Sequence, residues 1–203
     1  MIIALGFTIF EKTFVGMFKK LIGIGLGYIG LCVACLNAFA QKDKVHYIND
    51  LYRYVQEKVK NEEYEAYIKI ADTEPVGASF VDINGWKGVE RFYYSAKGTV
   101  EPVLRTVLVQ AAQSDTQIKI EYLYDNEGFL LYYGAEAIGE SNLGFKKLRA
   151  YFDQGESLIE LWQDDKVFYE VSRDAANKVK LILEDSKRYF EFFQQKMQQE
   201  SKN

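Results

Sequence analysis

Three stretches of this chain share one plan: an alternating run, a turn opening on Asp and closing on Gly, and a second apolar run. Ile118, Ile120, Tyr122 and Tyr124 alternate with Lys119 and Glu121, Asp125-Asn126-Glu127-Gly128 follows, and Phe129 to Tyr133 returns. Leu148 to Phe152, Asp153-Gln154-Gly155 and Leu158 to Trp162 repeat the plan. Val81-Asp82-Ile83-Asn84-Gly85-Trp86, leading to Arg91–Ser95, echoes it. A period of two is that of a half-buried antiparallel strand, with Lys119 and Glu121 on the solvated face. Asp caps turn amides through its side chain, and Gly accepts positive φ. The pattern predicts an antiparallel meander of about seven to nine strands. Val103 to Ala111 fits strand or helix. The strand reading is preferred because Ser114-Asp115 then turns the chain into the Ile118 strand.

The period changes at both ends. Val45, Ile48, Leu51, Tyr52, Val55 and Val59 recur at helical spacing, predicting a helix from about Lys44 to Asn61 with Asp43 as N-cap. A longer helix is predicted from about Asp174 to Gln199. Its seam is Ala176, Leu183, Phe190 and Met197, with Val179, Ser186 and Phe193 between, and Glu184 and Arg188 are spaced for an ion pair. An amphipathic helix buries its apolar face against a sheet. Residues 41–203 contain no linker and are read as a single α+β domain: helix, meander, helix. The hairpins of residues 120–162 resemble those of uncharacterised exported bacterial proteins with Tyr-Asp-turn-Gly sequences. The resemblance is one of turn chemistry and implies no activity.

Met17-Phe18-Lys19-Lys20, the apolar run Leu21 to Leu36 and Ala38-Phe39-Ala40-Gln41 read as a secretory signal peptide. Residues 1–40 are then a leader, Met17 the true start and Gln41 the first residue of an exported protein in the periplasm, at the cell surface or secreted. Both cysteines, Cys32 and Cys35, lie in that run, so the 163 residues after it offer no disulfide, thiolate metal site or cysteine nucleophile. Lipidation at Cys35 or retention as a membrane anchor are the other fates such a run allows. The same run holds Gly25-Leu26-Gly27-Tyr28-Ile29-Gly30, with Asp50 twenty residues further on. Lys20 to Ala34 resembles the opening of nucleotide-sugar dehydrogenases, which implies an NAD site on Gly25, Gly27, Gly30 and Asp50. That fingerprint needs a strand on each side of its helix and further crossover units. Here helical spacing runs through Val45 to Asn49, where the second strand belongs. The glycines are therefore read as signal-peptide composition, and no cofactor is expected.

Residues 41–203 carry 22 basic and 28 acidic residues, and the basic ones are scattered, so nucleic acid lacks its electrostatic footprint. His46 is the one histidine, which leaves no triad and no ordinary zinc ligand set. Gly139 to Lys146 misses a P-loop, with Phe145 in the lysine position, and Asp125 and Glu127 make only half a calcium loop. Glu121, Glu136, Glu140, Asp153, Glu156 and Glu160 are the acids from which a hydrolytic pair could be drawn. Trp86, Trp162, Tyr132 and Tyr133 stand beside the turns, bordered by Gly134–Gly144, which reads as the longest loop of the meander. Aromatic side chains so placed form a stacking surface. The expectation is an exported, non-catalytic module binding a protein or glycan partner through these aromatics. A carboxylate hydrolase and an NAD-dependent enzyme are the alternatives.

Overall fold

The Asp-to-Gly turns fold into hairpins, and the hairpins chain into a sheet. The computed structural model describes residues 41–71, 76–77, 87–96, 101–113, 115–139, 144–168 and 172–201. Helix α1 occupies residues 41–60. Eight strands follow: β1 (Glu65–Ala71), β2 (Lys87–Ser95), β3 (Val103–Gln113), β4 (Thr116–Tyr124), β5 (Leu130–Ile138), β6 (Lys147–Phe152), β7 (Leu158–Gln163) and β8 (Lys166–Phe168). They form one sheet in sequence order, every neighbour antiparallel. Helix α2 (Arg173–Glu200) ends the chain. The protein is an α+β fold built on a pure meander, and Lys44–Asn203 form one compact unit. The expected leader, Gly25, Gly27, Gly30, Cys35, Trp86 with its hairpin, and Glu140 lie outside the described residues.

The β4–β5 and β6–β7 hairpins are built alike. Asp125 Oδ1 accepts from the amides of Glu127 and Phe129, and Asp153 Oδ1 from those of Gly155 and Ser157. Each Asp amide also donates to the carbonyl four residues on, at 3.0 Å in both turns. Six residues after each Asp, Leu131 and Ile159 are skipped by the register as β-bulges. A bulge places two successive side chains toward one face, and Leu131 and Tyr132 accordingly join the same cluster.

The sheet is covered on both faces, which the alternation alone did not disclose. Tyr122, Tyr124 and Tyr133 point to the α2 side and pack with Phe92, Ile182, Tyr189 and Phe193. Leu123, Tyr132 and Tyr151 point the other way and pack with Ile48 and Val55 of α1. Glu121, expected on a solvated face, is therefore only 9% exposed.

Four local expectations are corrected. Residues 41–43 are already helical, so Asp43 lies inside α1. Gly134 to Ile138 are strand rather than loop, because Glu136 still pairs with Lys119 on one side and Lys147 on the other. Of the expected α2 seam only Ala176 is exposed; Ser186 and Phe193 are buried and Val179, Leu183, Phe190 and Met197 pack against the core, while Ala175, Ile182, Asp185 and Tyr189 widen the buried face. A helix on a sheet buries a broader face than a coiled-coil seam. Finally, Arg188 pairs with the buried Asp185 at 3.4 Å, and Glu184 with Lys180 at 3.6 Å, because a buried carboxylate needs the guanidinium more than an exposed one does.

Candidate functional site

α1 crosses β4 to β7 near the Asp turns. Further along the same strands it leaves the sheet face open, and there a cleft of about 320 Å³ lies between Asn49 and Tyr52 of α1 and the sheet. Register explains its lining. Glu121 of β4 stands opposite Gly134 of β5, which stands opposite Arg149 of β6. The next row is Lys119, Glu136 and Lys147. Strand alternation sets all of these on the face that carries Tyr132 and Tyr151.

Three tyrosines form one wall. The Tyr132 ring lies 5.1 Å from that of Tyr52 and 5.3 Å from that of Tyr151, both tilted. The Tyr52 hydroxyl donates to Glu121 Oε2 at 2.7 Å, and the Tyr151 hydroxyl to Asn49 Oδ1 at 3.1 Å. Burial, and then the hydrogen bond to Glu121, push Tyr52 far above the usual phenol range, against the pull of Arg149. Burial raises Tyr132 and Tyr151 as well, again opposed by Arg149. All three phenols thus keep their protons and act as hydrogen-bonding groups.

The acids are held. Lys119 reaches Glu121 Oε1 at 2.8 Å and Lys147 reaches Glu136 Oε1 at 3.1 Å. Glu121 and Glu136 are diagonal neighbours on adjacent strands, about 7–8 Å apart by sheet geometry. They stand side by side on one face instead of opposing each other across a bond.

Of the aromatics singled out from sequence, Tyr132 lines this cleft. Trp162 is half-buried, stands opposite Arg149 in register and packs against the α1-side cluster. Tyr133 is fully buried on the opposite face, in the α2-side core, and takes no part in any exposed surface. Sequence reasoning missed Asn49, Tyr52, Lys119, Lys147, Arg149 and Tyr151. The usable signal was parity. Lys119, Glu121, Gly134, Glu136, Lys147 and Arg149 share a strand face with Leu123 and Tyr132, so polar residues continue a face that is apolar at one end.

A larger cavity, about 460 Å³, lies between α1 and the two Asp turns, over Leu131, Phe152 and Ile159. Its acids already serve the turns, and Asp153 also meets Lys44 at 3.4 Å. Polarity, not size, therefore favours the smaller cleft. His46 and Asp50 sit together on the exposed side of α1, 3.3 Å apart, and Asp50 also pairs with Arg53. Asp50 is thus helical and ends no strand. Among the described residues no group of three His, Cys, Asp or Glu side chains is placed to hold a metal ion, and no helix is long and apolar enough to cross a membrane.

The chain matches no protein-family model, no curated protein and no solved structure.

Proposed function

We propose that this protein is an exported, non-catalytic binding module, and that its ligand is a glycan held in the cleft between α1 and the sheet. One observation carries the reading: three tyrosine rings and a double row of charged side chains converge on a single open cleft. Ligand sites of about 300–1,000 Å³ are usually apolar with a few polar groups. This one is lined mostly by charged and hydrogen-bonding side chains, which suits a ligand that is itself mostly hydroxyl groups. Glu121 and Glu136 offer acceptors for sugar hydroxyls, Lys119 and Lys147 offer donors, and the tyrosine edges offer apolar contact to ring faces. Export rests on the leader-like sequence of residues 17–40. Intact-mass analysis of the protein from its host tests it: a chain beginning at Gln41 supports export, and retention of residues 1–40 on a cytoplasmic protein defeats it.

Hydrolysis is the second reading, because two carboxylates do share the cleft. It is disfavoured by their arrangement. Each is engaged by a lysine, and they flank no common point from opposite sides, as acid and nucleophile or base must. The glycan reading is tested by calorimetric titration of the full chain against a panel of envelope and extracellular oligosaccharides. Binding without turnover, weakened about tenfold or more by Tyr52→Ala, supports it. Release of shorter sugars, abolished by Glu121→Gln, supports the hydrolase instead.

A further inference from the structure

The charges of the cleft do not cancel. Glu121 and Glu136 each have a lysine, but the guanidinium of Arg149 has no hydrogen-bond or ion-pair partner among the described residues and is exposed. The hydroxyl of Tyr132 likewise has no hydrogen-bond partner among them, although that residue is only 8% exposed. The two groups meet over one glycine. Gly134 lies in register between Glu121 and Arg149, and a Cβ there would stand 2.6 Å from the Tyr132 hydroxyl. Tyr132 therefore leans along its strand into the space that a side chain at 134 would fill. The result is a notch with a guanidinium on one side, a phenol hydroxyl above and no side chain beneath.

A guanidinium is a planar fork that pairs with a carboxylate through two parallel hydrogen bonds. A protonated phenol beside it adds a third donor, and burial keeps Tyr132 in that form. A neutral hydroxyl would leave the charge of Arg149 unanswered in a cleft whose other charges are already paired. We propose that the notch formed by Arg149, Tyr132 and Gly134 binds the carboxylate of an acidic sugar, so that the glycan recognised is a uronic-acid polymer or carries a uronate residue. This rests on the glycan reading above and names its ligand class. The flanking Glu121 and Glu136 accept from hydroxyls of the same or the neighbouring sugar, and their lysines shield them from the incoming anion.

The test titrates the full chain with short oligomers of galacturonate, glucuronate and mannuronate, each against its methyl ester, which keeps the size and removes the charge. At least one acid should bind about tenfold or more tightly than its ester, the range expected for hydrogen bonds to a charged group. Arg149→Gln should erase that difference, bringing the acid's affinity down to that of its ester, with the circular dichroism spectrum of the folded protein retained. Tyr132→Phe should weaken the acid several-fold more than the ester. Equal binding of acid and ester, or a preference that survives Arg149→Gln, overturns the uronate proposal and leaves the glycan reading standing. Binding of an acidic peptide with no saccharide bound, or no binding by any saccharide, overturns both.

Discussion

Gly128 carries φ +91° and lies directly under the Phe190 ring of α2, so any Cβ there would overlap the ring. Positive φ and overpacking each cost about 1–3 kcal/mol, and Gly128→Ala should lose roughly 2–4 kcal/mol in denaturant unfolding. Gly155, its apparent counterpart in the second hairpin, has no positive φ, and the nearest atom to a Cβ there is Asp153 Oδ1 at 3.6 Å. Gly155→Ala should change stability by no more than about 0.5 kcal/mol. The left-handed position of that turn falls one residue later, on Glu156 at φ +59°, which α2 holds through Lys187 at 2.8 Å. Both turns were legible in the sequence as Asp-to-Gly. Which glycine is obligatory was not, because that depends on counting three residues from Asp and on a ring from the distant helix. The same scale sets the acid response. The amides of Lys147 and Lys146 hold Asp164 below the usual carboxylate range, and those of Gly155 and Ser157, with Lys44, do so for Asp153. A depressed folded value means that the stabilisation is full above the unfolded pKa, about 3.9, and is lost as pH falls through the folded value. Thermal melts from pH 5 downward should therefore show a smaller loss of Tm in Asp164→Asn than in the parent.

At the scale of elements, α2 locks the sheet through a buried polar contact as well as apolar area. The Tyr189 hydroxyl lies 2.9 Å from Glu90 Oε1 and 3.0 Å from the Gly77 carbonyl, and Glu90 is fully buried. Glu90 also accepts from the Val76 amide at 2.9 Å and meets Lys69 at 3.2 Å. Tyr189→Phe removes one donor from a buried carboxylate and should cost about 1–3 kcal/mol. The helix face is tested by neighbours. Ala175→Glu should destabilise by about 2 kcal/mol or more, and Ala176→Glu by no more than about 0.5 kcal/mol, since only Ala175 is buried. The existence of both helices and of every described strand but β1 and short β8 was legible from period and turn chemistry. Most of the α2 seam was legible too, Ser186 included, but the buried Asp185 was not, because the sequence offers no reason to bury a charge. In space, Ser186 supplies the carbonyl that accepts from Tyr124 at 3.1 Å, and Asp185 takes Arg188.

At the scale of the molecule, the two helices divide the labour. α2 spans 28 residues, about 42 Å, and closes one face of the sheet over its largest aromatic cluster. α1 is shorter and covers part of the other face, so the polar cleft stays open beside it and Ile68 and Ile70 of β1 stay exposed. That exposed apolar edge is where a protein partner would dock if the cleft were not the working surface. Strand parity could have put the polar residues of the candidate site on one face, but that this face stays open is a property of coverage: Arg149 and Lys119 look like ordinary surface charges until α1 is laid across Leu123 and Tyr151. The most direct measurement is an amide NMR titration of the full chain with the tightest-binding oligosaccharide. The account predicts shifts concentrated at Asn49, Tyr52, Glu121, Tyr132, Gly134, Arg149 and Tyr151, with Ile68 and Ile70 unmoved. Shifts centred on Ile68 and Ile70, with the cleft residues silent, would contradict it.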